Sequence, residues 1–120
     1  MYVKRKYPRY SVSGVVEITV KEEKLHISGM IEKISEGGIG VYTNEKLVKG
    51  TRVFIEIIMF TGPDTSNYQL TGVVKNFEKQ KESGLLGIQF DKNINESDHP
   101  DLFMYLSLLG KQFSKYKHVL

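Results

Sequence analysis

Residues 12–35, VSGVVEITVKEEKLHISGMIEKIS, contain two runs in which apolar side chains alternate with polar ones. The first run places its apolar residues on one parity: Val16, Ile18 and Val20. The second run repeats this period of two over residues 25–35. Such alternation is typical of strands with one buried face, and the polar residues between the runs indicate a tight turn near Glu23–Lys24. We therefore predict a β-hairpin.

Four further segments have strand character. They are GIGVYT (38–43), GTRVFIEIIMF (50–60), YQLTGVVKNFEK (68–79) and GLLGIQFD (84–91). The segment TGPDTSN at 61–67 is rich in turn-forming residues, which predicts a loop there. Six strands at short spacing without an intervening helix favour an antiparallel barrel or sandwich, so the predicted fold class is all-β.

The C-terminal segment changes its period. Its apolar residues are spaced as on one face of a helix: Leu102, Phe103, Tyr105, Leu106, Leu109 and Phe113. Ser97 or Asp98 can cap the start, and Pro100 suits a first helical turn. We predict an amphipathic helix over residues 98–116. Four apolar residues are expected to pack it over the barrel: Leu102, Leu106, Leu109 and Phe113.

Length and composition indicate one globular domain over residues 1–120, with 40% hydrophobic and 26% charged residues. No apolar run approaches the ~20 residues that cross a bilayer, and the N-terminus lacks the apolar core of a secretory signal. The absence of cysteine excludes disulfides and thiolate metal sites. We therefore expect a cytoplasmic protein without membrane insertion.

Basic residues are concentrated at the N-terminus. Residues 1–11, which we treat as an arm ahead of a barrel over 12–91, contain four cations and no acid: Lys4, Arg5, Lys6 and Arg9. The rest of the chain has 13 Lys and Arg against 14 Asp and Glu, a formal charge of −1. Proteins that track a nucleic acid spread their cations over a face or groove. The arm therefore indicates a small anionic ligand rather than a nucleic acid polymer.

Nothing in the sequence indicates catalysis. The three histidines, His26, His99 and His118, are far apart, and none has a second ligand at metal spacing. No serine stands in a nucleophile elbow, and no pair of carboxylates stands out. We therefore predict that the protein is not an enzyme and has no metal site.

Two short motifs flank the predicted hairpin. RKYPR, Arg5 to Arg9, precedes the first strand, and KISEGG, Lys33 to Gly38, ends the second. With these motifs and this strand layout, the chain resembles the PilZ domain family, whose pattern is R-x-x-x-R followed by [D/N]-x-S-x-x-G. The resemblance extends over most of the chain, because residues 37–57 are similar to the family's central strands and GLLGIQF to its last strand.

The resemblance implies a six-stranded antiparallel split barrel with a C-terminal helix, and binding of the bacterial second messenger cyclic di-GMP. Arg5 and Arg9 would anchor this ligand, because an arginine fork can bridge phosphate oxygens or guanine O6 and N7. Ser35 would offer a hydroxyl, and Gly38 would leave room for a base. Such a receptor needs no resident cofactor, and a downstream protein partner would respond to ligand binding.

One position departs from the family pattern. Lys33 stands where the family has Asp or Asn. Its ammonium group has three donors and no acceptor for guanine N–H groups, so it would contact a phosphate or guanine O6 and N7 instead. Glu32 is adjacent, but regular strand alternation would point it to the opposite face of the strand.

Two other interpretations remain open. The Lys33 departure favours a degenerate PilZ-like protein-interaction module that no longer binds the nucleotide. A small nucleic-acid-binding barrel would need stacking aromatic residues and cations spread over the body. Aromatic residues are available: Tyr7, Tyr10, Phe54 and Phe60. The body charge of −1 argues against this third interpretation.

Overall fold

A computed structural model describes the backbone of residues 8–61 and 63–119, and the side chains of residues 8–60 and 63–110. Its elements are β1 (Gly14–Val20), β2 (Leu25–Ile34), β3 (Gly38–Thr43), β4 (Arg52–Thr61), β5 (Asp64–Lys79), β6 (Gly84–Phe90) and α1 (Pro100–Val119). The strands close a barrel in the order β1-β2-β3-β6-β5-β4, and all neighbours are antiparallel. The predicted all-β class, a six-stranded antiparallel barrel with a C-terminal helix, is confirmed.

The alternation in the sequence separates the inside of the barrel from its outside. In β1, Val16 and Ile18 are fully buried, whereas Glu17 between them lies half-buried on the outer face. The other strands contribute the rest of the barrel interior: Ile27, Ile31, Ile34, Ile39, Val41, Val53, Ile55, Ile57, Met59, Leu70, Val74, Leu86, Ile88 and Phe90. Removing this aliphatic surface from water is the main driving force for closing the barrel.

The turn between β1 and β2 spans residues 21–24. The amide of Lys24 donates to the carbonyl of Lys21 at 3.3 Å, and Lys24 has a φ of 52°. This is the tight turn predicted near Glu23–Lys24.

The prediction of a loop at residues 61–67 is wrong. β4 continues to Thr61 and β5 begins at Asp64, and these two residues pair with each other. Residues 64–67 are therefore strand, and only two positions lie between the strands. The residue types in this segment are common in turns. However, once β4 and β5 are in register, each further pair satisfies backbone groups that would otherwise need water.

Helix α1 begins at Pro100, which suits the first helical turn because it lacks an N–H group. The carbonyl of His99 accepts a hydrogen bond from the amide of Phe103 at 2.9 Å, so His99 holds the cap position. The carboxylate of Asp98 instead accepts a hydrogen bond from the side-chain amide of Asn95 at 2.9 Å. Asp98 therefore orders the segment ahead of the helix rather than capping it.

One face of α1 covers the barrel core. Leu102 is 0% exposed and Leu106 is 3% exposed, and Leu109 packs half-buried against the same cluster. These residues are four and then three positions apart, which places them on one side of a helix. Phe113, the fourth residue predicted at this contact, lies outside the described side chains.

Tyr10 joins the start of the chain to both the barrel and the helix. Its backbone makes two hydrogen bonds of 2.9 Å with Ile34 at the end of β2. A Cβ atom at Gly110 of α1 would lie 2.8 Å from the Tyr10 hydroxyl, so the phenol reaches the helix backbone. Tyr10 also packs against the core cluster. Position 10 of the predicted arm is therefore integrated into the fold.

We expect Leu102→Ala to lower the free energy of unfolding by about 2–5 kcal/mol, because it leaves a cavity under the helix. Met104→Ala on the same helix should change it by less than about 0.5 kcal/mol, since Met104 is 63% exposed. Urea unfolding followed by circular dichroism measures both. Equal small effects would contradict the packing of α1 on the barrel.

Candidate functional site

A groove of about 740 Å³ crosses the outer surface of β3, β6 and β5. Its lining residues are Arg9, Ser35, Gly37, Gly38, Ile39, Gly40, Lys75, Asn76, Glu78, Leu85, Gly87, Ile88, Gln89 and Asn93. Four of these are glycines, so much of the floor is main chain. A ligand in the groove would meet backbone atoms in the middle and polar side chains at the edges.

The centre of the floor is a pair of glycines, Gly40 of β3 and Gly87 of β6, which are direct cross-strand partners. A Cβ atom at Gly40 would lie 2.5 Å from Oε1 of Glu32. A Cβ atom at Gly87 would lie 2.5 Å from Oδ1 of Asn76. A carboxylate and an amide therefore reach over the bare backbone from opposite sides.

A β-bulge in β2 brings Glu32 to this position. The register with β3 shifts between Ile31 and Lys33, so that two residues of β2 oppose Gly40. Ile31 and Ile34 are both buried, which leaves Glu32 and Lys33 together on the outer surface. The prediction that Glu32 faces away from Lys33 is wrong, because it assumed alternation without a bulge.

A second bulge lies at the other edge of the same row. The register of β5 with β6 shifts between Val74 and Asn76, so Lys75 and Asn76 together oppose Gly87. Both residues are exposed, whereas Val74 is fully buried. The two paired glycines are thus bracketed by two bulges, and each bulge presents a lysine beside a residue with a side-chain oxygen.

Arg9 stands at the β2 side of the groove. Its Nη2 atom donates a hydrogen bond to Oε1 of Glu32 at 2.9 Å, and the side chains of Arg9 and Glu32 are 25% and 14% exposed. The bridge between Tyr10 and Ile34 holds Arg9 there. Both charged groups are largely removed from water. The attraction between them offsets part of the free energy that it costs to bury each charge.

The turn between β2 and β3 is closed by its own serine. The hydroxyl oxygen of Ser35 accepts a hydrogen bond from the amide of Gly37 at 3.2 Å, and the amide of Ser35 donates to the carbonyl of Gly38 at 2.9 Å. The carbonyl of Gly37 accepts from the amide of Phe90, which ties the turn to the end of β6. Ser35 therefore shapes this end of the groove.

The structure brings three of the five predicted site residues to one groove: Arg9, Ser35 and Gly38. Lys33 is exposed beside Gly40 but does not line the groove, and Arg5 lies outside the described residues. The sequence analysis did not select Lys75, Asn76 or Glu78. The signal that could have found them is Gly87 in GLLGIQF, since a strand-interior glycine often marks a close approach of another group.

A second cavity, of about 520 Å³, lies over the outer faces of β1, β4 and β5. It contains His26 and His99, and Nε2 of His26 lies 2.7 Å from Oε2 of Glu17. The Ser28 hydroxyl, with a smaller contribution from His26, holds the pKa of Glu17 below its usual range. Within the described residues, no three potential ligands stand close enough to hold a metal ion.

The sequence matches the family model of the PilZ domain over residues 3–107. No curated protein matches the sequence at a significant level. Nowhere in the described part of the chain is there a helix whose length and apolar character would let it cross a bilayer.

Several solved structures have a similar fold. One is the PilZ domain of YcgR from Escherichia coli with c-di-GMP, with a TM-score of 0.69, 16% identity, and coverage of 98% of this chain and 100% of that chain. The Bacillus subtilis inhibitor of motility MotI/DgrA has a TM-score of 0.72 at 19% identity, covering 95% and 54%. The MrkH–c-di-GMP complex of K. pneumonia has a TM-score of 0.71 at 15% identity. The match covers 95% of this chain and 55% of that chain. The chain thus spans about half the length of the last two.

The glycines of the groove differ in what an added methyl group would meet. At Gly38 a Cβ atom would lie 2.4 Å from the backbone oxygen of Ile88, whereas at Gly87 it meets only the movable end of Asn76. We expect Gly38→Ala to lower the free energy of unfolding by about 1–3 kcal/mol and Gly87→Ala by less than about 0.5 kcal/mol. Urea unfolding compares them, and equal losses would contradict the described contacts.

Proposed function

The chain belongs to the PilZ domain family, and from that premise we propose that it is a cyclic di-GMP receptor or adaptor domain whose binding site is the groove. On binding, the domain changes its conformation or its affinity for a protein partner. The domain works without a resident cofactor and without catalysis, and we place it in the bacterial cytoplasm.

The observation that carries the proposal is the position of Arg9 beside a floor of paired glycines. Cyclic di-GMP combines two phosphates with two flat guanines, so its site needs cations next to a surface without protruding side chains. Arg9 and Lys75 line the groove from its two sides, and Gly40 and Gly87 lie between them. An arginine fork binds phosphate or guanine O6 and N7 through two parallel hydrogen bonds.

Relatives support the identity of the ligand. The YcgR domain and the MrkH protein, which share this fold, have structures with c-di-GMP. At 15–16% identity the likeness alone establishes only the fold, so the proposal for this chain depends on its own groove residues.

The remaining site residues receive specific roles in this proposal. Arg5, four residues before Arg9 in the sequence, is the second anchor for the ligand. Ser35 keeps the β2–β3 turn closed through its bond to Gly37, and Gly38 presents main chain to the ligand. Lys33 stands outside the groove rim and adds positive potential for the phosphates, which salt would screen.

A protein-interaction role without the nucleotide is the second candidate, and one surface feature favours it. Five outward side chains form an apolar row across neighbouring strands: Leu85, Tyr42, Met30, Val15 and Ile58. Met30 is 63% exposed and Tyr42 is 40% exposed. Exposed apolar patches mark protein contacts, and Leu85 also lines the groove, so a downstream partner with an apolar face could sense the ligand.

Isothermal titration of the protein with cyclic di-GMP tests the main proposal. Arg9→Ala and Arg5→Ala should each weaken binding about thirtyfold or more. In the proposed complex each arginine pairs with the anionic ligand away from water, and removing one partner of such a pair costs at least about 2 kcal/mol of binding free energy. Arg52→Ala is the matched control. Arg52 is an arginine that pairs with Asp91 at 2.6 Å and does not line the groove, so its loss should leave affinity unchanged.

Two outcomes would overturn the proposal. If the parent protein shows no heat of binding with cyclic di-GMP, the protein-interaction candidate takes its place. If the arginine variants bind as tightly as the parent and the Arg52 control, the groove is not the site.

A further inference from the structure

Beside the groove stands an ion pair, Arg9–Glu32, whose acceptor does not come from the motif position Lys33. Guanine presents three neighbouring groups on its Watson–Crick edge: the O6 acceptor, the N1–H donor and the 2-amino donor. A protein that reads this edge needs a donor next to two acceptors. Lys33, at the motif position for an acceptor, has only donors.

Glu32 and Arg9 together have the required pattern. The Glu32 carboxylate has two oxygens side by side, and the guanidinium of Arg9 contacts one of them at 2.9 Å. Arginine has five N–H donors, and the contact with Glu32 uses one of them. The pair therefore offers N–H, oxygen and oxygen in a row, which is the complement of guanine O6, N1–H and 2-amino.

The pair lies at the edge of the groove floor. Arg9 and Gly40 line the groove, and Glu32, which does not line it, accepts from Arg9 and lies over Gly40. Oε1 of Glu32 lies only 2.5 Å from the position that a Cβ atom of residue 40 would take, so the carboxylate occupies the space over Gly40 of β3. Only 14% of the Glu32 side chain is exposed. A carboxylate in such a place discriminates strongly, because a base without matching donors leaves it unpaired.

Two side chains that line the groove and carry oxygens, Asn76 and Glu78, fit this role less well. Asn76 carries both a donor and an acceptor on its amide, so it can adapt to either guanine or adenine. Glu78 is exposed on the β5 side of the groove, and the two arginines among the described residues, Arg9 and Arg52, pair with Glu32 and Asp91 instead. Neither has a donor and a carboxylate held together in the way that the Arg9–Glu32 contact holds them.

We infer that Glu32 is the residue that selects guanine in this protein, and that the β2 bulge gives it the acceptor role which Lys33 lacks. The inference rests on the proposed binding of cyclic di-GMP and names a specificity residue at the edge of that groove, next to its lining residues Arg9 and Gly40. Adenine has an amino donor where guanine has O6, and its N1 carries no hydrogen. The Arg9–Glu32 pair would place a donor against that donor and an oxygen against N1, which disfavours the binding of adenine.

The test compares three ligands by isothermal titration: cyclic di-GMP, cyclic di-IMP, whose bases lack the 2-amino group, and cyclic di-AMP. The parent should prefer cyclic di-GMP to cyclic di-IMP by about tenfold, within the range of one good base-edge pair, and should bind cyclic di-AMP more weakly still. Glu32→Gln replaces one acceptor by a donor. This variant should lower the affinity for cyclic di-GMP by about tenfold or more. It should also bring the ratio of the affinities for cyclic di-GMP and cyclic di-IMP towards one.

Two variants serve as controls. Glu78→Gln makes the same change in a carboxylate that lines the same groove, and Lys33→Ala removes the cation beside Glu32. Both should keep the parent's preference for cyclic di-GMP over cyclic di-IMP. Circular dichroism and thermal unfolding establish that each variant is folded, and Glu32→Gln can still accept the hydrogen bond from Arg9.

The outcomes separate this inference from the proposed function. If the parent binds cyclic di-GMP and folded Glu32→Gln keeps the full preference over cyclic di-IMP, the inference is wrong while the receptor function stands. If Glu32→Gln binds more tightly than the parent, Glu32 competes with the ligand for Arg9, and the inference is also wrong. If the parent binds none of the three ligands, the inference falls together with the receptor function.

Discussion

The structure depends on the need to keep both Ile31 and Ile34 inside the barrel, which β2 meets with a bulge. In a regular strand, residues three positions apart face opposite sides, so one isoleucine would point into water. The extra residue restores both to the core and sends Glu32 and Lys33 outwards together. The bulge interrupts the hydrogen-bond ladder between β2 and β3. Burial of the second isoleucine offsets this loss, because it contributes about 1.5–3 kcal/mol to the free energy of unfolding.

The same packing requirement acts on β5, where Val74 is buried, Phe77 three positions later packs half-buried against the core cluster, and the bulge turns Lys75 and Asn76 outwards. The two bulges meet in one row because each is opposed by a glycine, and Gly40 and Gly87 are themselves paired. A side chain at either position would have to displace the end of the Glu32 or the Asn76 side chain. The polar groove is thus a consequence of how the apolar interior is filled, and its chemistry is set by which residues the bulges expose.

The residue that follows Arg9, Tyr10, connects this arginine to the barrel and to the helix. Tyr10 makes a backbone bridge to Ile34, next to the β2 bulge, and its hydroxyl reaches Gly110 in α1. Arg9 precedes it directly and contacts Glu32. The groove, the bulge and the helix therefore share a two-residue segment, and the ion pair is positioned by packing on both sides.

The sequence alone determined the six strands and the helix, because the period of apolar residues is a local property that needs no partner. It also identified Arg9, Ser35 and Gly38, which the structure brings to one groove. Only the tertiary structure decided that Glu32 lies over Gly40 at the edge of this groove, and that residues 64–67 are strand. A bulge and a strand end are set by the register with a neighbouring strand, and the energies of core burial and backbone pairing that choose the register depend on residues far away in the chain.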